Sequence, residues 1–270
     1  MTTAMKYLVA LVATSTLVGG RTARSQEPPP DTIPWPAGNQ LSVLTRARLD
    51  SRRGDTIQLA YSLESAPTSV QSGRTFTVRM YARSWVVGAP LRWFGDSAQV
   101  QDSSVVVWSS FSVTDLVTPG AQRTGFVAAG IGATDLVPFR VRGHYAPPVY
   151  SDTSRTQYAD PPSIWVDAAQ GTTVGLVPMP TGATAQLLSR LSSLNTRACE
   201  LGWVEPAAVC TSLAGRLTAA SNALSAGDIA TARSEMDAYI SELESRRGGD
   251  IKEDGFALLW PNAKAARERI

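Results

Sequence analysis

From Leu41 onward apolar and polar residues alternate. Leu41, Val43, Thr45, Ala47 and Leu49 share one parity, and Ile57, Leu59, Tyr61 and Leu63 share one again after the turn Ser51-Arg52-Arg53-Gly54-Asp55. Phe76, Val78 and Met80 repeat the pattern after Gly73. A period of two places each set on one face of a sheet. Gly54, between the first two runs, is the residue a hairpin turn favours. Further β-rich runs lie at Val105–Trp108, Gly125–Ala128, Pro138–Arg142 and Ser163–Val166, parted by Pro119-Gly120, Gly130, Gly132, Gly143 and Pro147-Pro148. Short strands so spaced, with no helical pattern between them, predict an antiparallel Ig-like β-sandwich of about seven to nine strands over 39–168.

The period then changes. Leu187, Leu188, Leu191 and Leu194 fit one helix face, and Pro206 suits the first turn of a second helix carrying Val209, Leu213, Leu217 and Leu224. Asp228 after Gly227 is a cap for a third, whose face is Ala232, Met236, Tyr239, Ile240 and Leu243. Gly248-Gly249 ends it, and Phe256, Leu259, Ala263 and Ala266 mark a fourth. Short loops between them predict a small antiparallel helical bundle over 183–270. Gly171–Gly182 contains three glycines and two prolines, so 169–182 reads as an interdomain linker. Residues 26–38 contain five prolines in thirteen positions and read as an extended arm or linker.

The first 25 residues carry a different signal. Lys6 supplies positive charge, and Tyr7–Val18 is an apolar run of twelve. That length fits a cleavable signal peptide and falls short of the roughly 20 residues a bilayer crossing needs. Cleavage after Ser25 leaves Gln26 first, and cleavage after Gly20 is the alternative. No cysteine follows the apolar run to take a lipid anchor, and no later window is long and apolar enough to span. The expectation is a secreted, periplasmic or cell-envelope protein of a bacterial-type cell. Cys199 and Cys210 agree with this, since two cysteines in an exported chain most simply pair as a disulfide. Two free thiols or half of a metal site are the alternatives. Net charge is +2, too balanced to suggest a nucleic-acid partner.

The C-terminal ninety residues resemble the FIMAH domain of bacterial extracellular proteins. The resemblance rests on Leu-Leu-Ser-Arg-Leu at 187–191, Leu217-x6-Leu224, Ala226-Gly227-Asp228-x3-Ala232-Arg233 and Met236-x2-Tyr239-Ile240. The glycine pair and Leu258-Leu259…Ala263 complete it. It implies an accessory module with no catalytic residues to carry over. The preceding segment is similar to immunoglobulin-like and fibronectin-like domains of exported bacterial proteins. That similarity rests on Tyr61-Ser-Leu-Glu-Ser, Ser69-Val-Gln71, Val107-Trp108, Pro119-Gly120 and Gly125-Phe126. It implies a fold and no activity.

Candidate chemistry is sparse. His144 is the single histidine, so a Ser-His-Asp or Cys-His site would have to use it. No Gly-x-Ser-x-Gly elbow and no Ser-x-x-Lys accompanies it. Asp96, Asp102, Asp115 and Asp135 fall in expected loops or strand ends, where aspartate ordinarily serves turns. Glycoside hydrolysis would need two such carboxyls about 5–9 Å apart across a cleft. No calcium-loop pattern occurs, and no metal or cofactor is expected. Arg53-Gly54-Asp55 is a tripeptide some adhesion receptors read, and Gly-Asp is also an ordinary turn pair. Trp85 and Trp93 flank Gly88-Ala89-Pro90 in an expected loop, where aromatic faces would be free to stack on sugar rings. Core packing is the other use of such rings.

These observations lead to a noncatalytic secreted or cell-envelope protein that binds or adheres to an extracellular ligand, a glycan or a protein. A secreted hydrolase or enzyme-accessory protein acting on polysaccharide is the alternative. A purely structural spacer is a third reading.

Overall fold

The structure is a computed structural model that describes residues 39–144 and 168–270, and the backbone alone of Thr32–Ile33 and Gln157–Tyr158. The signal segment 1–25, most of the arm 26–38, the run 163–166 and Trp165 lie outside the described residues. In chain order the strands are β1 (Thr32–Ile33), β2 (Val43–Arg53), β3 (Thr56–Ser65), β4 (Ser72–Met80), β5 (Ser84–Gly88), β6 (Trp93–Val100), β7 (Ser103–Ser110), β8 (Gln122–Ile131), β9 (Ala133–His144), β10 (Gln157–Tyr158) and β11 (Ala169–Val177). The helices are α1 (Thr184–Glu200), α2 (Ala207–Ser225), α3 (Ile229–Arg246) and α4 (Glu253–Arg269).

Nine of these strands form two antiparallel sheets, ordered β11-β9-β4-β7-β6 and β2-β3-β8-β5, while β1 and β10 pair separately in parallel. The period-two sets meet between the two sheets. Ala47, Leu49, Ile57, Leu59, Leu63, Phe76, Val78 and Met80 are all buried there. At the centre Phe76 stacks on Trp108 with ring centroids 5.3 Å apart, and Tyr61, Phe126 and Phe139 meet Phe76 edge-on. The buried Tyr61 hydroxyl donates to the Val174 carbonyl at 3.0 Å, which is the partner a buried phenol requires. Burial also pushes its ionisation far above the ordinary tyrosine range.

The expected linker 169–182 is corrected here. Its first half is β11, paired with β9 from Ala169↔Val141 to Val177↔Ala133, so the sheet extends past residue 168. The glycines that read as linker have a packing role. A Cβ at Gly171 would run into the Phe139 ring, and one at Gly175 into Val137. Glycine within a strand marks such a close approach as readily as a break.

Each helix packs on the next, and α1 also touches α4. The helices share one continuous apolar core with the sheets. Helix α4 makes the junction, packing on β2 and β9. Strand β2 is a sheet edge, and its outward backbone groups find partners on the helical side. Ala47 N–H donates to Asp254 Oδ1 at 2.7 Å, and Arg247 Nη2 donates to the Leu49 carbonyl at 3.2 Å. Covering an edge in this way blocks pairing with another chain. Arg52 grips Glu268 with two bonds of 2.8 and 2.7 Å, and Thr134 Oγ1 donates to the Leu258 carbonyl at 2.8 Å.

Candidate functional site

Among the described residues, the outer face of the four-stranded sheet carries an open groove. Its pattern follows from the parity left over by the core. On β2 the core takes Thr45, Ala47 and Leu49, so Arg46, Arg48 and Asp50 turn out to solvent. Antiparallel partners share a face, and the register gives three rows. Arg46 lies opposite Ser62 and Ser62 opposite Thr124; Arg48 lies opposite Ala60 and Ala60 opposite Val127. In the third row Gln58 faces Ala129, and Ala129 faces Trp85 on β5.

Small side chains in the middle and long ones at the β2 edge leave an open groove of about 480 Å³. Arg46, Arg48 and Asp50 line one wall, Glu253 of α4 extends it, and Ala60 and Val127 contribute to the floor. Trp85 stands one row beyond, outside the lining, and is 36% exposed.

Most of the wall's charges are already engaged. Arg48 Nη2 lies 3.1 Å from Asp50 Oδ1, and Gln58 Nε2 donates to Asp50 Oδ2 at 2.6 Å. Glu253 accepts from Arg247 at 2.7 and 3.0 Å. The Arg46 side chain is exposed and makes no hydrogen bond or ion pair among the described residues. Behind it lies Asp254, 2% exposed. Burial raises the Asp254 carboxyl to about 6, against the opposing pull of the Ala47 N–H and the Arg46 charge.

The structure does not bring Trp85 and Trp93 together as a loop pair. The segment expected as loop contains β5 and the start of β6, and it puts the two rings in different environments. Trp93 is 6% exposed, packs edge-on against Phe126 with centroids 5.0 Å apart, and donates Nε1–H to the Asp115 carbonyl at 2.8 Å. It has no free face to offer a sugar. Trp108 is in the core as a strand residue, with Nε1–H donated to the Gly88 carbonyl at 2.9 Å.

The other candidates are dispersed. His144 ends β9; burial first, and the nearby Arg74 charge second, lower its pKa below the ordinary histidine value. Asp96 is within β6, Asp102 is in the turn before β7, and Asp135 in β9 holds Arg190 of α1 at 2.7 Å. Asp115 ties three segments through its carbonyl and carboxylate, receiving Trp93, Arg92 and Arg123. Arg53, Gly54 and Asp55 are exposed at the β2–β3 hairpin tip, with Gly54 at φ +57°. Cys199 and Cys210 form the disulfide, joining the end of α1 to the first turn of α2. Among the described residues no cluster of three or more His, Cys, Asp or Glu is placed to hold a metal ion. No helix among them is long and apolar enough to cross a membrane.

Two features went unread in the sequence. The even parity of β2 was as visible as the odd one, and it carries the groove's charged wall. Glu253 comes from 203 positions beyond Asp50, a juxtaposition that only the docking of α4 on β2 creates.

No protein-family model matches the chain, and no curated protein matches it. Several solved structures are similar over part of it, two of them as follows. One is a CBM3 of Hungateiclostridium clariflavum, at 11% identity and TM-score 0.24, covering 33% of this chain and 71% of that one. The other is a cohesin module from a family 33 glycoside hydrolase of Clostridium perfringens, at 5% identity and TM-score 0.28, covering 53% of this chain and 99% of that one. Both TM-scores are low, and neither likeness bears on what this chain binds.

Proposed function

We propose that the chain is a noncatalytic, exported binding protein whose ligand is a glycan laid across the outer face of the four-stranded sheet. In this reading the sandwich is of the Ig-like kind, and α1–α4 form a FIMAH-like helical bundle serving as its accessory module. The observation that carries the proposal is the groove itself: an open trough with an apolar floor, a hydrogen-bonding wall and an exposed tryptophan one row away. Pyranose rings present an apolar face and a polar rim, and this surface offers both complements.

The hydrolase reading has Asp50 and Glu253 as the groove's two carboxylates. Their oxygens already serve Arg48, Gln58 and Arg247, which leaves no free acid and base facing one another. Binding is therefore the better account.

A glycan panel probed with the exported chain tests it. Ala60→Phe would raise the groove floor without touching the core, and binding should weaken at least about tenfold. Trp85→Ala should weaken it by less. Undiminished binding by Ala60→Phe, or no glycan bound by the wild type, would defeat the proposal.

A further inference from the structure

The groove's lining carries as many cations as anions, Arg46 and Arg48 against Asp50 and Glu253, and which of them keeps free donors selects among glycans. Along its wall Arg48 is matched by Asp50, and Glu253 by Arg247. Arg46 makes no ion pair within 4 Å among the described residues; the buried Asp254 carboxyl behind it feels its charge but leaves its guanidinium donors uncommitted. Its guanidinium stands at the end of the row it shares with Ser62 and Thr124, two residues that bring hydroxyls to the same face. The next row, through Ala60 and Val127, is apolar.

We infer, on the basis of the groove reading above, that the ligand is an acidic polysaccharide with ring carboxylates, a uronate chain, and that Arg46 is its anion contact. A guanidinium presents a planar fork that a carboxylate matches with two parallel hydrogen bonds. The neighbouring hydroxyls suit ring hydroxyls, and the apolar row suits the ring's flat face. From β2 to β5 the sheet spans roughly 14 Å, three strand spacings. That is room for a short run of sugar rings between Arg46 and Trp85. A neutral glycan would leave the exposed Arg46 donors without a carboxylate.

The test compares one backbone in two charge states. Polygalacturonate and its fully methyl-esterified form are titrated into the soluble chain by calorimetry. Poly-glutamate and a neutral xylan serve as further probes. The wild type should bind polygalacturonate at least about tenfold more tightly than the ester, with the difference shrinking as salt is raised. Arg46→Gln, an exposed change that should lower the melting temperature only slightly through the lost attraction to Asp254, should bring the two forms level. Equal wild-type affinity for acid and ester would overturn the inference while leaving a glycan groove standing. So would an acid preference that survives in Arg46→Gln. Poly-glutamate bound as tightly as polygalacturonate would overturn it as well, since the site would then read charge and not sugar. Failure to bind any of the polysaccharides would remove the groove reading together with it.

Discussion

Two tryptophans on consecutive strands behave in opposite ways, and mutation should separate them. Trp93→Ala removes a buried ring from its contact with Phe126 and leaves the Asp115 carbonyl with fewer donors. It should cost about 3–5 kcal/mol in urea denaturation. Trp85→Ala, at an exposed position, should stay within about 0.5–1 kcal/mol of the wild type. The sequence could not sort them because β6 alternates weakly. Trp93-Phe94-Gly95-Asp96 has large apolar residues on both parities. Phe94 was overlooked for the same reason, although its half-exposed ring lies 5.8 Å from that of Phe111, itself 75% exposed. Asp254 gives a pH-dependent case. Its carboxyl is raised to about 6 in the folded chain, above the ordinary 3.8. Its stabilising contribution is therefore fully present below about pH 4 and is lost as pH rises through 6. Asp254→Asn keeps an oxygen for the Ala47 N–H and removes the buried charge. It should raise stability at pH 7.5 by about 1–3 kcal/mol and change little at pH 4. A less stable variant at pH 7.5 would show that the ionised carboxylate is doing more than accepting one hydrogen bond.

At the scale of elements, local signals were read well and cross-layer ones poorly. Asp228 caps α3 as expected, accepting from Thr231 N–H at 3.0 Å. The alternating runs of β2, β3 and β4 emerged with their cores on the expected parity. Strand β11 was missed because its glycines yield to side chains of β9, which no local pattern records. Helix α4 contains Pro261, a residue that removes one helical N–H and disturbs the turn before it. In that turn the Leu258 carbonyl accepts from Thr134 Oγ1 at 2.8 Å and from Asn262 Nδ2 at 2.7 Å. The Thr134 bond ties this turn of the helix to the sheet. Thr134→Val, similar in shape but without the hydroxyl, should cost about 1–3 kcal/mol in thermal or urea unfolding. The disulfide acts at the same scale. Replacing Cys199 and Cys210 by serine should lower stability by roughly 3 kcal/mol in the chain-entropy account. An unchanged melting temperature would mean that packing alone holds the α1–α2 turn.

For the whole molecule, the continuity of the core is the deciding property. Buried residues run without interruption from the sheets into the four helices, so the described parts should unfold together. Calorimetry should show one transition for sheets and helices, and two well-separated peaks would contradict the shared core. A chain ending at residue 177 would lose Asp254, Arg247 and Glu268, the partners of Ala47, Leu49 and Arg52. It should self-associate in size-exclusion chromatography, through an uncovered β2. The bond from Ala47 to Asp254 spans 207 positions, and that distance is also a delay. At roughly 5–20 residues per second of synthesis, β2 exists for on the order of tens of seconds before its cover has been made. Through that interval Arg46, Arg48 and Asp50 are the strand's own deterrent, because charges on an edge discourage another chain from zipping onto it. The charged wall of the groove thus first serves as a temporary guard for the growing chain.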